Sequence, residues 1–312
     1  MSLNHAQTEA VAHNEGPCMV LAGPGSGKTL TIAKRIEYLI TKYKVRPEEI
    51  LVITFTKYAA WEMKNRTRSI CGPSSYAVTF GTFHGIYYGI LKWAYRLNQS
   101  NLLSDEEKYR ILREILPGID WDQEPEADEE KDYLQELAIE IGNVKNNCMD
   151  IEEYEPVKYT TEKFRKLYRT YEETKKKYRK IDFEDMLIQC RDLFMKRPDI
   201  LKKWQEKFQY ILVDEFQDVN QAYDVVRMLA APQDNLFVVG DDDQSVYGFR
   251  GAKPGIMKEF MKDYPKARQI LLDVNYRSSG YIVKGALRVI GNNKIRFEKK
   301  IEAFRKPDET VH

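Results

Sequence analysis

The sequence has few cysteines and lacks a long hydrophobic segment. Its 312 residues include only four cysteines, Cys18, Cys71, Cys148 and Cys190, and none of them forms a CxxC pair. This spacing argues against a structural zinc site and a disulfide framework, so we expect a reduced, cytoplasmic protein. No apolar run approaches the roughly 18 residues of a membrane helix, and no secretory signal opens the chain. We therefore expect no membrane partner.

The sequence also lacks an excess of either charge. Lys and Arg number 49 and Asp and Glu 48, a formal net charge of +1, which excludes a globally basic, histone-like protein. The net charge does not show where along the chain the charged residues lie. Residues 163–180 carry nine Lys or Arg and two Glu, whereas residues 120–140 carry ten acids and one lysine. We interpret both stretches as solvated surfaces, with phosphate binding as the alternative for the basic one.

Six short apolar runs predict buried parallel strands, because strands covered on both faces do not alternate in polarity. These runs are residues 18–22, 50–55, 78–80, 210–213, 236–239 and 269–274. Helical patterns lie between them, for example at residues 29–42 and 59–70. The alternation predicts an α/β fold with a doubly wound parallel sheet.

The stretch from about residue 91 to residue 180 interrupts this alternation. It has no convincing strand and is rich in charged side chains and tyrosines. We therefore predict an all-helical subdomain, residues 92–180, inserted into an α/β core of residues 1–91 and 181–284.

The segment AGPGSGKT, residues 22–29, follows an apolar strand and precedes a helical pattern, which is the context of a phosphate-binding loop. Its glycines let backbone N–H groups turn toward an anion, at the positive end of a helix. We expect Lys28 to reach the β and γ phosphates of ATP, and the Thr29 hydroxyl to ligate Mg²⁺. The predicted nucleotide-binding residues here are Ala22, Gly23, Pro24, Gly25, Ser26, Gly27, Lys28, Thr29 and Leu30.

The second half of such a site is an apolar strand that ends in acids, and YILVDEFQD at residues 210–218 supplies it. Asp214 is expected to hold Mg²⁺ through water, and Glu215 to accept a proton from the attacking water. The inserted subdomain explains why about 190 residues separate the two motifs. Together they predict a P-loop nucleotide-binding site with a general base for hydrolysis, and the family resemblance described next implies that the domain is RecA-like and that the nucleotide is ATP.

Around these motifs the sequence resembles the UvrD/Rep-type superfamily 1 DNA helicases over nearly its whole length and in the family's motif order. The matching segments are LNHAQ (3–7), ITFTKYAAWEM (53–63), GTFHG (81–85), IDFEDML (181–187), VDEFQD (213–218), GDDDQSVYGFRGA (240–252) and DVNYRS (273–278). The resemblance implies an ATP-dependent 3′-to-5′ helicase or translocase. Its substrates would be single-stranded DNA and single/double-strand junctions, in replication or repair.

The resemblance also implies roles at the nucleotide. Gln7 would read adenine and Tyr276 would stack on it. Gln244 would sense the γ phosphate, and Arg277 would stabilise charge there. Gln217 would couple the nucleotide state to the DNA path.

The same resemblance implies a path for single-stranded DNA. Aromatic rings stack on bases of any identity, which suits a track without sequence preference. For Phe55 and Phe83, packing in the core is the alternative. The implied DNA-binding residues are Phe55, Thr56, Thr82, Phe83, His84, Tyr247, Phe249 and Arg250.

The chain departs from the family pattern at several places. Lys57-Tyr58 replaces a usual Asn-Lys, and Trp61 and Leu30 each replace a usual Arg. Phe249 replaces a usual Trp and keeps a stacking face.

Three consecutive acids at positions 241–243 raise the question of a second metal site. We favour a different interpretation, in which Asp241 matches the family and the other two are solvated or cap a helix.

Members of the family continue into a second RecA-like domain. We therefore interpret the chain as an N-terminal portion, with residues 285–312 as the lead-in to that domain, and expect weak or absent unwinding. The motor of a helicase–nuclease is an open alternative. A small-molecule phosphotransferase and a non-catalytic DNA-binding module are more distant ones.

Overall fold

Six parallel strands form the main sheet. They are β1 (Cys18–Ala22), β2 (Ile50–Thr54), β3 (Thr79–Thr82), β4 (Tyr210–Val213), β5 (Leu236–Gly240) and β6 (Arg268–Leu272). Their order is β3-β2-β4-β5-β1-β6, and every neighbouring pair is parallel. The predicted α/β class is confirmed, and each predicted strand is present. The computed structural model describes residues 2–119, 129–146, 149–219, 222–244, 255–293 and 296–305.

The burial of the strands explains their sequences. Every residue of β1, β2 and β5 is buried, which accounts for their unbroken apolar runs. The edge strands differ, since β3 is half-buried throughout and β6 begins with two exposed residues. The core of the sheet includes Val20, Val52 and Phe237, against which Ile36 of the following helix packs.

Twelve α-helices lie in the described part of the chain. They are α1 (His5–Ala12), α2 (Lys28–Thr41), α3 (Lys57–Cys71), α4 (Phe83–Tyr95), α5 (Asp105–Ile115), α6 (Glu130–Asn146), α7 (Thr161–Lys177), α8 (Asp185–Lys196), α9 (Pro198–Lys207), α10 (Ala222–Ala230), α11 (Ile256–Asp263) and α12 (Gly280–Ile290). Across the residues described, none of them combines the length and apolarity that crossing a bilayer requires.

The predicted strand at residues 269–274 is in fact divided. Strand β6 ends at Leu272, and β7 (Val274–Ser279) begins a second sheet with β8 (Glu302–Arg305). At the break, the carbonyl of Asp273 accepts a 2.7 Å hydrogen bond from the Glu302 N–H. An apolar run in the sequence does not show that the chain leaves the main sheet after Leu272 and pairs with β8 instead.

The chain divides into two compact units, residues 1–83 with 197–312, and residues 84–196. The second unit contains α4 from its second residue onward and α5 to α8. It has its own core, which includes Leu112, Leu137, Phe164 and Tyr171. Among its described residues the only β pairing is an isolated bridge between Leu102 and Ile181. This second unit is therefore essentially helical.

A buried cluster of charges lies within the second unit. Lys145 and Lys175 are each about 1–2% exposed, and both contact Asp182 and Asp185 at 2.8 Å or less. Burial raises the pKa of Asp182, but the two ammonium groups outweigh it and hold this pKa well below its usual range. Lys175 belongs to the basic run, so for this residue both the solvated and the phosphate-binding interpretations are wrong.

Other members of the basic run are also paired within the unit. Lys180 contacts Glu107, while Arg165 and Arg169 contact Glu152. Much of the positive charge in residues 163–180 is therefore balanced locally.

Candidate functional site

The predicted nucleotide-binding segments follow the carboxyl ends of parallel strands. Residues 22–29 follow β1, Asp214 follows β4 and Asp241 follows β5, while Tyr276 and Arg277 lie on β7, just after β6. Ligands of open α/β sheets bind at this edge, next to the point where strand order reverses. The order β4-β5-β1-β6 therefore places these segments side by side.

Two glycines give the phosphate loop its shape. Gly25 and Gly27 have φ angles of 67° and 86°, a region that favours glycine. A Cβ on Gly25 would lie 2.7 Å from Cβ of Arg277. The loop runs directly into α2, whose first N–H groups have no partner within the helix. Ser26 is buried, and its Oγ has no hydrogen-bond partner among the described residues.

Asn275 ties the phosphate loop to the strand that carries Arg277. Its Nδ2 donates to the Pro24 carbonyl at 2.6 Å, and its Oδ1 accepts from the Arg277 N–H at 2.9 Å. The Tyr276 N–H donates to the Gly25 carbonyl at 2.9 Å. Sequence reasoning missed Asn275, although a short amide that can bond nearby backbone is a recognisable signal.

The predicted adenine-binding residues meet through Asn4. Gln7 is buried, and its Nε2 donates to the Ser26 carbonyl at 2.9 Å. Its Oε1 accepts from the Asn4 N–H at 3.1 Å, and Asn4 Nδ2 donates to the Tyr276 hydroxyl at 2.9 Å. Both ends of the Gln7 carboxamide are thus engaged within the protein. One amide N–H and one lone pair of the carbonyl oxygen are left for a further partner.

The loop lysine and the candidate base form an ion pair. Lys28 Nζ lies 2.7 Å from Glu215 Oε2. Glu215 has φ of 50° and ψ of 47°, a left-handed conformation that is strained for a residue other than glycine. Burial, and then the neighbouring charge of Glu215, raise the pKa of Asp214 to about 6. Thr29 is half-buried at the second position of α2.

A row of hydrogen bonds leads from this ion pair to the predicted γ-phosphate sensor. Gln217 Nε2 donates to Glu215 Oε2 at 2.9 Å, and Gln217 Oε1 accepts from the Asp241 N–H at 3.0 Å. Gln244 Nε2 then donates to Asp241 Oδ2 at 2.6 Å. The structure thus connects Lys28, Glu215, Gln217, Asp241 and Gln244 without a gap.

The three consecutive acids hold a lysine. Lys299 Nζ lies 2.5 Å from Asp241, 2.5 Å from Asp242 and 2.9 Å from Asp243. Arg296 adds a two-pronged contact to Asp243 at 2.8 and 2.7 Å. The interpretation of Asp242 and Asp243 as solvated or capping residues is therefore wrong. An ammonium group already occupies the place where a metal ion would sit.

The residues predicted to bind DNA fall into different environments. Thr56 is exposed and caps α3 by accepting from the Ala59 N–H, while Phe55 and Thr82 are half-buried. Phe83 is only 5% exposed, as the core-packing alternative expects. Tyr247, Phe249 and Arg250 lie outside the described residues.

His84 stacks against a neighbouring ring rather than standing alone. Its ring lies 3.6 Å from that of Phe183, at an angle of 17°. Burial lowers the pKa of His84 to about 4, so the side chain is neutral near pH 7. It therefore cannot offer a positive charge to a phosphate group at that pH.

Two aromatic residues that replace family residues are exposed beside Thr56. Tyr58 and Trp61 are 70% and 59% exposed, and their ring centroids lie 5.8 Å apart. Both lie near the start of α3, directly after the carboxyl end of β2. Their exposure was not evident from sequence, because an aromatic residue in a helical pattern is more often buried.

Comparison with known proteins shows that the chain matches a protein family. A model described as the UvrD/REP helicase N-terminal domain matches residues 3–265. YjcD of Bacillus subtilis strain 168 is 40% identical over 317 residues, which cover 98% of this chain and 40% of that protein.

Two further relatives are named ATP-dependent DNA helicase PcrA. The Bacillus subtilis protein is 38% identical over 306 residues, covering 96% of this chain and 41% of the relative. The Staphylococcus aureus strain Mu50 protein is 35% identical over 319 residues, covering 99% and 43%. The chain thus spans about two fifths of the length of these curated relatives.

Proposed function

The chain belongs to the UvrD/REP helicase N-terminal domain family, and on that premise we propose that it is the ATP-binding portion of a DNA helicase or translocase. The motor would move 3′ to 5′ on single-stranded DNA and act at single/double-strand junctions in replication or repair. The row of hydrogen bonds from Lys28 to Gln244 carries the proposal, because it links the phosphate loop to residues after two further strands. A cytoplasmic location belongs to the same proposal, since DNA is the proposed substrate.

The residues at this site are suited to binding a nucleoside triphosphate with Mg²⁺. The unpaired Ser26 Oγ, the first N–H groups of α2 and the Lys28 ammonium are donors suited to phosphate. The Thr29 hydroxyl and the Asp214 carboxylate are oxygen ligands of the kind that Mg²⁺ prefers. When bound, Mg²⁺ would neutralise charge on the phosphates.

The Lys28–Glu215 ion pair suggests how binding prepares hydrolysis. A phosphate that enters the loop competes with Glu215 for the same ammonium group. Once released, the Glu215 carboxylate can accept a proton from water, while Gln217 still holds one of its oxygens. Gln244 then contacts the γ phosphate, and Arg277 stabilises the negative charge on it.

We propose that single-stranded DNA crosses the carboxyl ends of β2 and β3. The exposed side chains of Thr56, Tyr58 and Trp61 support this path, since their rings could stack on bases without regard to sequence. The buried Phe83 is left out of the DNA contacts. We further propose that residues 92–180, which lie within the helical unit of residues 84–196, are the subdomain inserted into the RecA-like core.

The proposal is tested by measuring nucleotide binding, ATP hydrolysis and unwinding. We expect this chain to bind ATP with Mg²⁺ and to show weak or no strand separation, because translocation needs a second domain that closes on the nucleotide. A protein that joins this chain to a second RecA-like domain should show ATP hydrolysis that single-stranded DNA stimulates. Absence of nucleotide binding, or robust unwinding by the 312-residue chain alone, would contradict the proposal.

A further inference from the structure

Lys299 occupies an unusual environment for a lysine. Its side chain is 1% exposed, and its ammonium contacts one oxygen from each of Asp241, Asp242 and Asp243. An ammonium has three protons to donate, so the three carboxylates can satisfy it fully. Burial lowers the pKa of Lys299, but hydrogen bonds to Asp241 and Asp242 outweigh this and raise it above its usual value.

The same carboxylate that holds Lys299 also holds the candidate γ-phosphate sensor. Asp241 is fully buried, and its Oδ1 accepts from Lys299 while its Oδ2 accepts from Gln244 Nε2 at 2.6 Å. A buried polar group requires hydrogen-bond partners, and Lys299 and Gln244 supply them to the two oxygens of Asp241. Lys299 therefore fixes the carboxylate whose other oxygen holds the Gln244 carboxamide.

Lys299 also belongs to a segment fastened to the acids at several points. Arg296 makes two contacts with Asp243, and the Phe297 N–H donates to Asp242 at 2.6 Å. Shortly after Lys299 the chain enters β8, which pairs with β7. The acids thus lie between Gln244 on one side and residues 296–305 on the other.

We propose that Lys299 is a positioning residue for Gln244, and that it couples the γ-phosphate site to residues 296–305. The proposal rests on the proposed function, which assigns the γ phosphate to Gln244. When Gln244 leaves Asp241 for a phosphate oxygen, Lys299 keeps the Asp241 carboxylate in place. Any displacement of Asp241 is passed to Lys299, and so to the segment that leads into β8.

A purely structural role makes a different prediction. If Lys299 only holds residues 296–305 in place, its loss should lower the stability of the fold or reduce the affinity for every nucleotide by the same factor. A positioning role should weaken binding only where a γ phosphate is present. The ratio of diphosphate to triphosphate dissociation constants therefore separates the two roles.

The experiment uses this chain with Mg²⁺ and fluorescent forms of ADP and of a non-hydrolysable ATP analogue. We expect Lys299→Met to reduce the preference for the triphosphate about tenfold, the usual scale for losing a hydrogen bond to a charged group. Affinity for ADP should stay within about twofold. The control is Lys300→Met, because this neighbouring lysine is exposed, and it should leave both affinities unchanged. Lys299→Arg should restore part of the preference.

Each outcome is decisive. An unchanged preference in folded Lys299→Met would overturn the positioning role alone. If that variant does not fold, Asp242→Asn decides, because it weakens the hold on Lys299 while Asp241 remains, and an unchanged preference would again overturn the role. A wild-type chain that binds neither nucleotide would overturn the proposed function itself. Equal binding of both nucleotides would overturn the assignment of Gln244, and with it this inference.

Discussion

The ammonium of Lys28 lies 2.7 Å from a carboxylate oxygen of Glu215, so the phosphate loop and the candidate base neutralise each other in the structure. The two residues are 187 positions apart in sequence and belong to segments after β1 and β4. In the proposed function, this ion pair connects nucleotide binding with activation of the base. Separate substitutions of its two members should have different effects.

Lys28→Ala should weaken nucleotide binding by about 10- to 100-fold, because it removes a charged hydrogen bond to phosphate. A fluorescent ATP analogue measures the change in dissociation constant. Lys34→Ala is the matched control, since Lys34 lies on the same helix but pairs with Glu37. Undiminished binding by Lys28→Ala would count against the phosphate loop.

Glu215→Gln should retain nucleotide binding but lose about 10²- to 10⁴-fold in turnover, the range expected for removal of a general base. Phosphate release in the presence of single-stranded DNA, by a protein that joins this chain to a second RecA-like domain, measures the turnover. Glu206→Gln, an exposed change on α9, should leave the rate unaltered. If turnover by Glu215→Gln equals that of the wild type, another group is the base.

Gly25→Ala should disturb the loop and weaken nucleotide binding. Gly25 has φ of 67°, and a Cβ there would lie 2.7 Å from Cβ of Arg277 and 2.9 Å from Oδ1 of Asn275. Gly89→Ala is the control, because this glycine lies within α4 and a Cβ there meets no atom within 4 Å. The control should raise the free energy of unfolding by roughly 0.5–1 kcal/mol. Nucleotide titration and thermal unfolding of both variants provide the comparison.

Lys175→Met should lower the free energy of unfolding by about 3–5 kcal/mol, because it leaves buried carboxylates with one cation too few. Lys176→Met changes an exposed neighbour on the same helix. It should change the free energy of unfolding by less than about 0.5 kcal/mol. Chemical denaturation of the two variants measures the difference. Equal stability of the two would mean that the buried cluster does not need Lys175.

The stability of the protein should fall in mild acid because of His84. The pKa of this residue is about 4 in the folded state, below the ordinary 6.5, since burial disfavours the imidazolium. The unfolded chain therefore binds a proton first, and stability declines as pH falls from about 6.5 toward 4. The loss is of the order of 3 kcal/mol.

The test is His84→Phe, which keeps a ring against Phe183 but cannot be protonated. Urea unfolding at pH 7.5 and pH 5 should show a smaller loss of stability than in the wild type. His5→Phe, at an exposed position, should leave the pH dependence unchanged. A titration of the His84 ring protons by NMR that gave a pKa near 6.5 would contradict the prediction.

The sheet and the phosphate loop were predictable because their signals are local. Strand β4 begins and ends where the apolar run does, and the loop glycines stand next to Lys28 in sequence. The partner of the three acids was not predictable, since Lys299 lies more than 50 positions away in a lysine-rich segment. Tertiary placement alone decides which of those lysines is buried.

The basic run shows an intermediate case. Phe164, Leu167 and Tyr171 form the buried stripe of α7, and Lys175 falls on the same stripe one turn later. The helical period therefore marked Lys175 as buried, although its charge suggested the opposite. Lys175 can be both charged and buried because the acids at positions 182 and 185 pair with its ammonium group.

The hydrogen bond between Asn4 and Tyr276 has a practical consequence for work with this protein. Asn4 also caps α1 by accepting from the Gln7 N–H, so the first residues of the chain contact both residues predicted to bind adenine. Deleting them would remove the helix cap and the partner of the tyrosine hydroxyl together. An affinity tag fused at that end would lie close to the proposed adenine-binding residues, so nucleotide affinities should be measured after the tag has been cleaved.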